Sequence, residues 1–440
     1  MNLLKFLFTL TISLLLPAFC LATNNNSINT YHFNSTNPKL DVLSIVGMDN
    51  IREMFSAGKY AWASDNAVIT FYDGKVWSAP QTIPGMSLII FVKPAYPIHG
   101  EQAFAWAEGF ENSQIVISYF NGTSWSTALP ITEQSNKFRF LTAEGKLWII
   151  YQDDTGIHIQ HSDTTNPLSF ISLPTFGNDA FLHATLNYDD ADLYFTSRSE
   201  SQAFTVKRVK LDNSVTVLYQ DDETFEGQVR IKNNRILLTR YESSISYYSL
   251  DKGLTWKPIQ NTAPALLFGF AKGGVTCGLA LSANSSDRIN YCVNLSDATP
   301  MWNLTSNSSY YFADGFTDNN GMWLVTPETN QVTYWNSHTN KTNDTHIDMI
   351  AKRIFHSDYS NSSKSVGNNQ LITFGTNKNN EPSVLYFDNA VWSVYPFVGK
   401  LEKEICQAYD LSEQNIWIFS HARCNPDSDN DYQMYIDDWY

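Results

Sequence analysis

The side chains whose type and spacing bear most directly on chemistry are four cysteines, Cys277, Cys292, Cys406 and Cys424. Neither a Cys-x-x-Cys nor a His-Glu-x-x-His spacing accompanies them, so a zinc site is disfavoured and the thiols read as two disulfides. Of the three possible pairings, Cys277 with Cys292 and Cys406 with Cys424 is favoured. The 277–292 segment reads as a hairpin turning at Asn284-Ser285, which would set its two cysteines opposite each other. The run Asp427-Ser428-Asp429-Asn430-Asp431 alternates carboxylates as some calcium loops do. It lacks the bending glycine, so a solvated acidic turn is the plainer reading and calcium the only cofactor left open. His158 and His161 lie three apart on an expected strand, face opposite ways and cannot share a ligand. Asp153-Asp154, Asp189-Asp190 and Asp221-Asp222 read as turn residues. Gly-x-Ser-x-Gly, Walker and dinucleotide-binding motifs in a fitting context are absent.

The elements that must carry these groups are strands. Aromatic residues make up 14% of the 440 residues and charged residues 17%, a balance suited to pleated surfaces and a large core. Residues 1–22 read as a signal peptide: Lys5, an apolar run from Phe6 to Leu16, Pro17, then Cys20-Leu21-Ala22 before the cleavage point. Export and an oxidising compartment follow as expectations, with no membrane span in the mature chain. Loss of Lys5 takes the net charge from −15 to −16. Such a chain lacks the basic surplus that nucleic-acid binding needs.

Short apolar strands recur around Trp62, Trp106, Trp148, Tyr194, Leu237, Cys277, Trp323, Ile372 and Trp417. The spacing averages about 44 residues, the length of a β-propeller blade. A second repeated part reads strand, tight turn, tryptophan: Phe71-Tyr-Asp-Gly-Lys-Val-Trp77, Tyr119-Phe-Asn-Gly-Thr-Ser-Trp125 and Tyr386-Phe-Asp-Asn-Ala-Val-Trp392. Asp-Gly and Asn-Gly supply the positive φ of such turns. The fold expected is all-β, a single propeller of seven to nine four-stranded blades, with nine units counted. Residues 23–39 are read as an N-terminal extension and 40–440 as the propeller, its ring closed by the strand Leu40–Val46. A β-sandwich pair or a solenoid is the competing architecture.

One unit is sharper. Ser249-Leu-Asp251-Lys-Gly253-Leu-Thr255-Trp256 fits the Asp-box pattern at every fixed position, directly after the strand-like Ser244–Tyr248. It resembles the Asp boxes of the sialidase-like (BNR-repeat) propeller superfamily, with degenerate copies elsewhere in the chain. In that family the box is structural, and catalysis needs three arginines that clamp a carboxylate, a Tyr–Glu nucleophile pair and an Asp acid/base. The resemblance implies Arg52, Arg139, Arg230 and Arg240 as candidate carboxylate-binding residues. Their plainer reading is that of solvated strand residues, and the Phe/Tyr-Arg-Ile-Pro strand of the family is missing. The expected function is therefore an exported propeller, a monomer, that binds glycans or a secreted or cell-surface protein without catalysis. The alternative is a sialidase-like, glycoside-cleaving enzyme.

Overall fold

The computed structural model describes residues 27–421 apart from connecting segments, the longest being 95–102 and 347–362, and gives side-chain surroundings mainly over 27–259 and 381–397. Cys424 and the acidic run at 427–431 lie outside the described residues. Among the described residues every regular element is a strand. β1 (Ser27–Asn34) and β2 (Lys39–Val46) open the chain. β3 (Glu53–Ala57), β4 (Tyr60–Ser64) and β5 (Ile69–Tyr72) form a three-stranded sheet. Seven four-stranded sheets follow, each running in chain order from one edge to the other. The first three are β6 (Leu88–Pro94), β7 (Ala105–Glu111), β8 (Gln114–Phe120) and β9 (Leu129–Glu133); β10 (Phe138–Ala143), β11 (Lys146–Asp153), β12 (Gly156–Ser162) and β13 (Phe170–Ser172); and β14 (Ala180–Leu186), β15 (Leu193–Arg198), β16 (Phe204–Val209) and β17 (Val215–Asp221). The next two are β18 (Gly227–Lys232), β19 (Arg235–Arg240), β20 (Ile245–Ser249) and β21 (Lys257–Gln260), then β22 (Ala265–Ala271), β23 (Val275–Leu281), β24 (Arg288–Asn294) and β25 (Thr299–Ser306). The last two are β26 (Asp314–Thr317), β27 (Gly321–Thr326), β28 (Gln331–Asn336) and β29 (Lys341–His346), then β30 (Ser363–Gly367), β31 (Gln370–Thr376), β32 (Pro382–Asp388) and β33 (Val391–Pro396). Finally β34 (Glu404–Tyr409) and β35 (Asn415–His421) join the opening pair in the order β2-β1-β35-β34.

All nine sequence anchors fall on the second strand of their sheets, counted from the edge strands β3, β6, β10, β14, β18, β22, β26, β30 and β34: Trp62 on β4, Trp106 on β7, Trp148 on β11, Tyr194 on β15, Leu237 on β19, and so on to Trp417 on β35. A second strand has partners on both edges and a neighbouring sheet against its face, so this is where a large apolar side chain loses most contact with water. Trp62, Trp106, Trp148, Tyr194 and Trp417 are fully buried. The first strands of successive sheets touch one another in the series β34, β3, β6, β10, β14, β18, β22, β26, β30. The architecture is propeller-like.

Two expectations are corrected. Residues 27–39 are not an extension outside the fold, because β1 pairs along its whole length with β2 and through Thr30–Asn34 with β35. The polar look of Ser27–Asn34 hides an alternation in which Tyr31 and Phe33 are buried. Leu40–Val46 does lie in the outermost strand of that sheet, but β1 makes the junction with β35. The uniform four strands also fail once, at β3-β4-β5. There Asp73 accepts hydrogen bonds from the backbone N–H groups of Lys75 and Val76 (2.8 and 2.9 Å), and the chain returns through single bridges, Tyr72 to Trp77 and Ile69 to Gln81.

The same turn recurs at Asn121, which accepts from the N–H groups of Thr123 and Ser124, both at 3.0 Å. The serine after each tryptophan repeats its bonds too. Ser78 and Ser126 each accept from a strand N–H at 3.0 Å, while Thr70 and Ser118 donate to the carbonyls of Ser78 and Ser126 at 2.6 and 2.7 Å. The third copy departs: Asp388 faces Val391 and Phe387 faces Trp392 in an unbroken hairpin into β33.

Candidate site on the first strands

Side-chain register, more than sequence motif, brings charged groups together. Two residues beyond each anchor on the second strand lies a position paired with one residue of the first strand. These pairs are Ser64 with Glu53, Glu108 with Phe91, Ile150 with Arg139, and Thr196 with His183. Glu53, Glu108, Arg139 and His183 therefore occupy one level across four consecutive sheets. Lys93 and Arg230 are paired with the anchors Trp106 and Leu237. They lie one pleat repeat away along their strands, about 7 Å at roughly 3.3 Å per residue.

The level is electrically divided. On one side burial pushes the Glu53 carboxyl up to about 8; Arg52 and Lys93 oppose this, and Glu108 adds to it. Glu108 is itself buried. On the other side burial, reinforced by the guanidinium groups of Arg139 and Arg230, holds the His183 imidazole down to about 3. At neutral pH Glu53 is mostly protonated and His183 neutral. The second half thus presents two guanidinium groups flanking an uncharged imidazole, on β10, β14 and β18. Arg139 donates to the Phe138 carbonyl at 2.9 Å and lies over the Phe181 ring at 5.9 Å. Guanidinium groups suit planar anions because their fork matches two oxygens at once.

The four sequence-derived arginines do not act as one group. Arg139 and Arg230 flank His183. Arg52 is exposed beside Glu53 and donates to Asn66 at 2.7 Å. Arg240 approaches the Asp221 carboxylate at 3.5 Å, and the same oxygen accepts from the Tyr219 hydroxyl at 3.0 Å, which ties two sheets together. His158 and His161 face opposite ways, as expected: the first meets Asp153 at 2.9 Å and the second Asn213 at 3.1 Å. The buried Lys207 ammonium bonds the Asp179 carboxylate and the Ser197 hydroxyl, an internal use of its charge. Among the described residues no group of three or more His, Cys, Asp and Glu side chains is arranged to hold a metal ion. No described helix is long and apolar enough to cross a membrane.

The side chains of the 249–256 turn bond to the turn itself. Asp251 accepts from the Thr255 N–H at 2.9 Å, the Thr255 hydroxyl at 2.6 Å and the Ser249 hydroxyl at 2.7 Å, and Ser249 accepts from the Gly253 N–H at 2.7 Å. Gly253 has φ +90°, and a Cβ there would lie 2.8 Å from Leu218. Trp256 reaches the preceding sheet and donates to the Leu218 carbonyl at 2.8 Å. These bonds hold the Asp251 carboxyl down to about 2. A depressed acid stabilises the fold above its unfolded pKa of about 4, and that contribution disappears as pH falls through about 2. Asp251→Asn should therefore lower stability at neutral pH and leave a smaller loss between pH 4 and 2, measured by urea unfolding across that range.

Glu53 gives the opposite sign. Its folded form keeps a proton that the unfolded chain releases near pH 4.5, so stability falls as pH rises from about 4.5 to about 8 and is level above. Glu53→Gln should remove that fall and make the protein more stable than wild type at pH 8. A wild-type curve flat across this window would sink the assignment.

Glu53, Glu108 and His183 carry no motif and escape sequence reading. Glu53 and Arg139 each precede their anchor by nine residues, but His183 precedes Tyr194 by eleven and Glu108 follows Trp106 by two, so the shared level becomes readable only once pairing register is known.

No family model matches the chain, and no curated protein sequence matches it. Solved structures do resemble it. One is described as a eukaryotic initiation factor, with 9% identity and a TM-score of 0.53 over 84% of this chain and 97% of that one. Another is the dipeptidyl peptidase 4 of Porphyromonas gingivalis, with 12% identity and a TM-score of 0.53 over 83% of this chain and 62% of the peptidase. At such identities the likeness is one of fold, and it fits a propeller.

Proposed function

We propose that the nine sheets close into a single nine-bladed propeller, sealed by β1 and β2, and that the exported, monomeric protein binds acidic glycans without cleaving them. The observation that carries the reading is the pair of guanidinium groups, Arg139 and Arg230, flanking a neutral His183 on neighbouring first strands. First strands line the axis of a propeller, so these groups would sit where a ligand enters the channel. A carboxylate or sulfate ester on a sugar would match the charge and the forked donors of these two groups. The Asp box at 249–256 supports kinship with the sialidase-like superfamily; its place between β20 and β21, away from the first strands, gives it a holding role.

A second reading, glycoside cleavage, rests on the coupled carboxyls Glu53 and Glu108. An acid protonated near neutrality beside a second carboxyl is what a glycosidase uses to protonate a leaving oxygen. Both readings are tested by applying the purified chain 23–440 to a glycan array and analysing each bound glycan by mass spectrometry. Retained, intact acidic glycan is the expected result. Loss of a sugar, abolished by Glu53→Gln, would replace binding by catalysis. Silence across the array would refute both and point to a protein partner.

A further inference from the structure

Cys277 and Cys292 are direct register partners in the β23–β24 ladder, with two further pairs on one side, as far as Val275–Asn294, and four on the other, as far as Leu281–Arg288, and no shift of register between them. Both flanking ladders are irregular at this place. The β22–β23 register shifts between Leu267 and Gly269, opposite Gly278 and Cys277. The β24–β25 register shifts between Cys292 and Val293, opposite Trp302 and Pro300. The central pair thus carries its two thiol-bearing residues where support from each neighbour is interrupted.

Topology removes the competing partners for Cys406. It lies on β34, in the sheet shared with β1, β2 and β35. The sheet of Cys277 and Cys292 meets the sheets of β18 and β26 on its two sides, and the β30 sheet lies beyond the latter. Directly opposed residues of an antiparallel pair have Cα atoms about 4.5 or 5.5 Å apart, within the usual disulfide range of about 4.4–6.8 Å. We propose that Cys277 and Cys292 are joined by a cross-strand disulfide that locks the β23–β24 register where both flanking ladders slip.

The step is a two-electron oxidation. Two thiols lose two protons and two electrons, an S–S bond forms, and an exchange-competent disulfide is reduced to its two thiols. The biological oxidant follows from the export reading, but the pairing itself can be tested apart from it. Because a one-residue slip would turn every side chain of a strand to the other face, a covalent tie between register partners fixes the faces of both strands at once.

Trypsin cuts after Lys272, Arg288 and Lys341. It therefore separates Cys277, in peptide 273–288, from Cys292, in peptide 289–341. Protein recovered from outside the cytoplasm of its native source should yield these two peptides joined in a non-reducing digest and separate after reduction. Purified protein, reduced and then reoxidised in its folded state with glutathione disulfide, should yield the same pair. Cys277→Ser should leave Cys292 open to alkylation. A linked pair after reoxidation but free thiols in the native material would overturn export and keep the pairing. Both thiols alkylated after reoxidation, or either joined to Cys406 or Cys424, would overturn the pairing.

Discussion

Removing residues 27–46 should abolish cooperative folding of the chain. The deletion takes out β1 and β2, exposes the edge of β35, and empties the contacts that bridge the two chain ends. Phe33 is fully buried between Tyr386 and Tyr395, at ring distances of 5.4 and 5.1 Å, and Tyr31 meets Phe397 edge-on at 4.9 Å. His32 stacks on Trp417 at 4.6 Å, which in turn packs against Tyr72 and Trp77 of the next sheet at 4.9 and 5.4 Å. Burying one such side chain contributes about 1.5–3 kcal/mol, and several are lost together. That total is comparable with the roughly 5–15 kcal/mol of net stability that a domain possesses. Urea unfolding followed by tryptophan fluorescence should show one steep transition in the intact chain and a shallow or missing one after deletion. Phe33→Ala is the milder form of the experiment and should cost about 3–5 kcal/mol. A deletion variant that unfolds as steeply as the parent would contradict the shared sheet.

Replacing Arg139 or Arg230 by methionine should weaken binding of an acidic glycan by about 10- to 100-fold. Each charged hydrogen bond lost is worth about 1.5–3 kcal/mol. Methionine keeps much of the packing bulk while removing charge and donors. Arg240→Met is the informative comparison: it breaks the 3.5 Å contact with Asp221 between two sheets, so stability should fall while affinity holds. Titration calorimetry on the three variants, with urea unfolding alongside, separates the effects. Equal loss of affinity in all three would mean that binding only reports fold integrity. Unchanged affinity for Arg139→Met and Arg230→Met would remove the anion site.

The sequence revealed the repeat well because the repeat is set by burial. Trp62, Trp106, Trp148 and Trp417 can be counted along the chain because a second strand demands a large apolar side chain at one place, and each unit meets that demand again. The Asp-Gly and Asn-Gly turns were legible for a similar local reason: a side-chain oxygen two residues back caps the turn at Asp73 and at Asn121. β1 was illegible because Asn29, Thr30, His32 and Asn34 mask two buried aromatics, and because its partner β35 lies nearly four hundred residues away. The site was hidden for another reason. Arg139 and Arg230 stood out as charges on strands, but Glu53 and His183 gain significance only from the level they share with Arg139, and level is a property of pairing between sheets.

The sheet built from both ends also sets a timetable. The Tyr386 hydroxyl donates to the Ser35 carbonyl at 3.3 Å across 351 residues of chain, and β1 must wait for β35 before it has a second neighbour. Contacts at such separation are reached late, because loop-closure entropy opposes them until the intervening chain has ordered. During synthesis the intermediate sheets can assemble behind the ribosome one by one, while β1 and β2 remain an unclaimed hairpin carrying apolar residues. This chain therefore has a long interval in which an early-made strand pair is among the last to be protected, and holdase binding or proteolysis in that interval would fall first on residues 27–46.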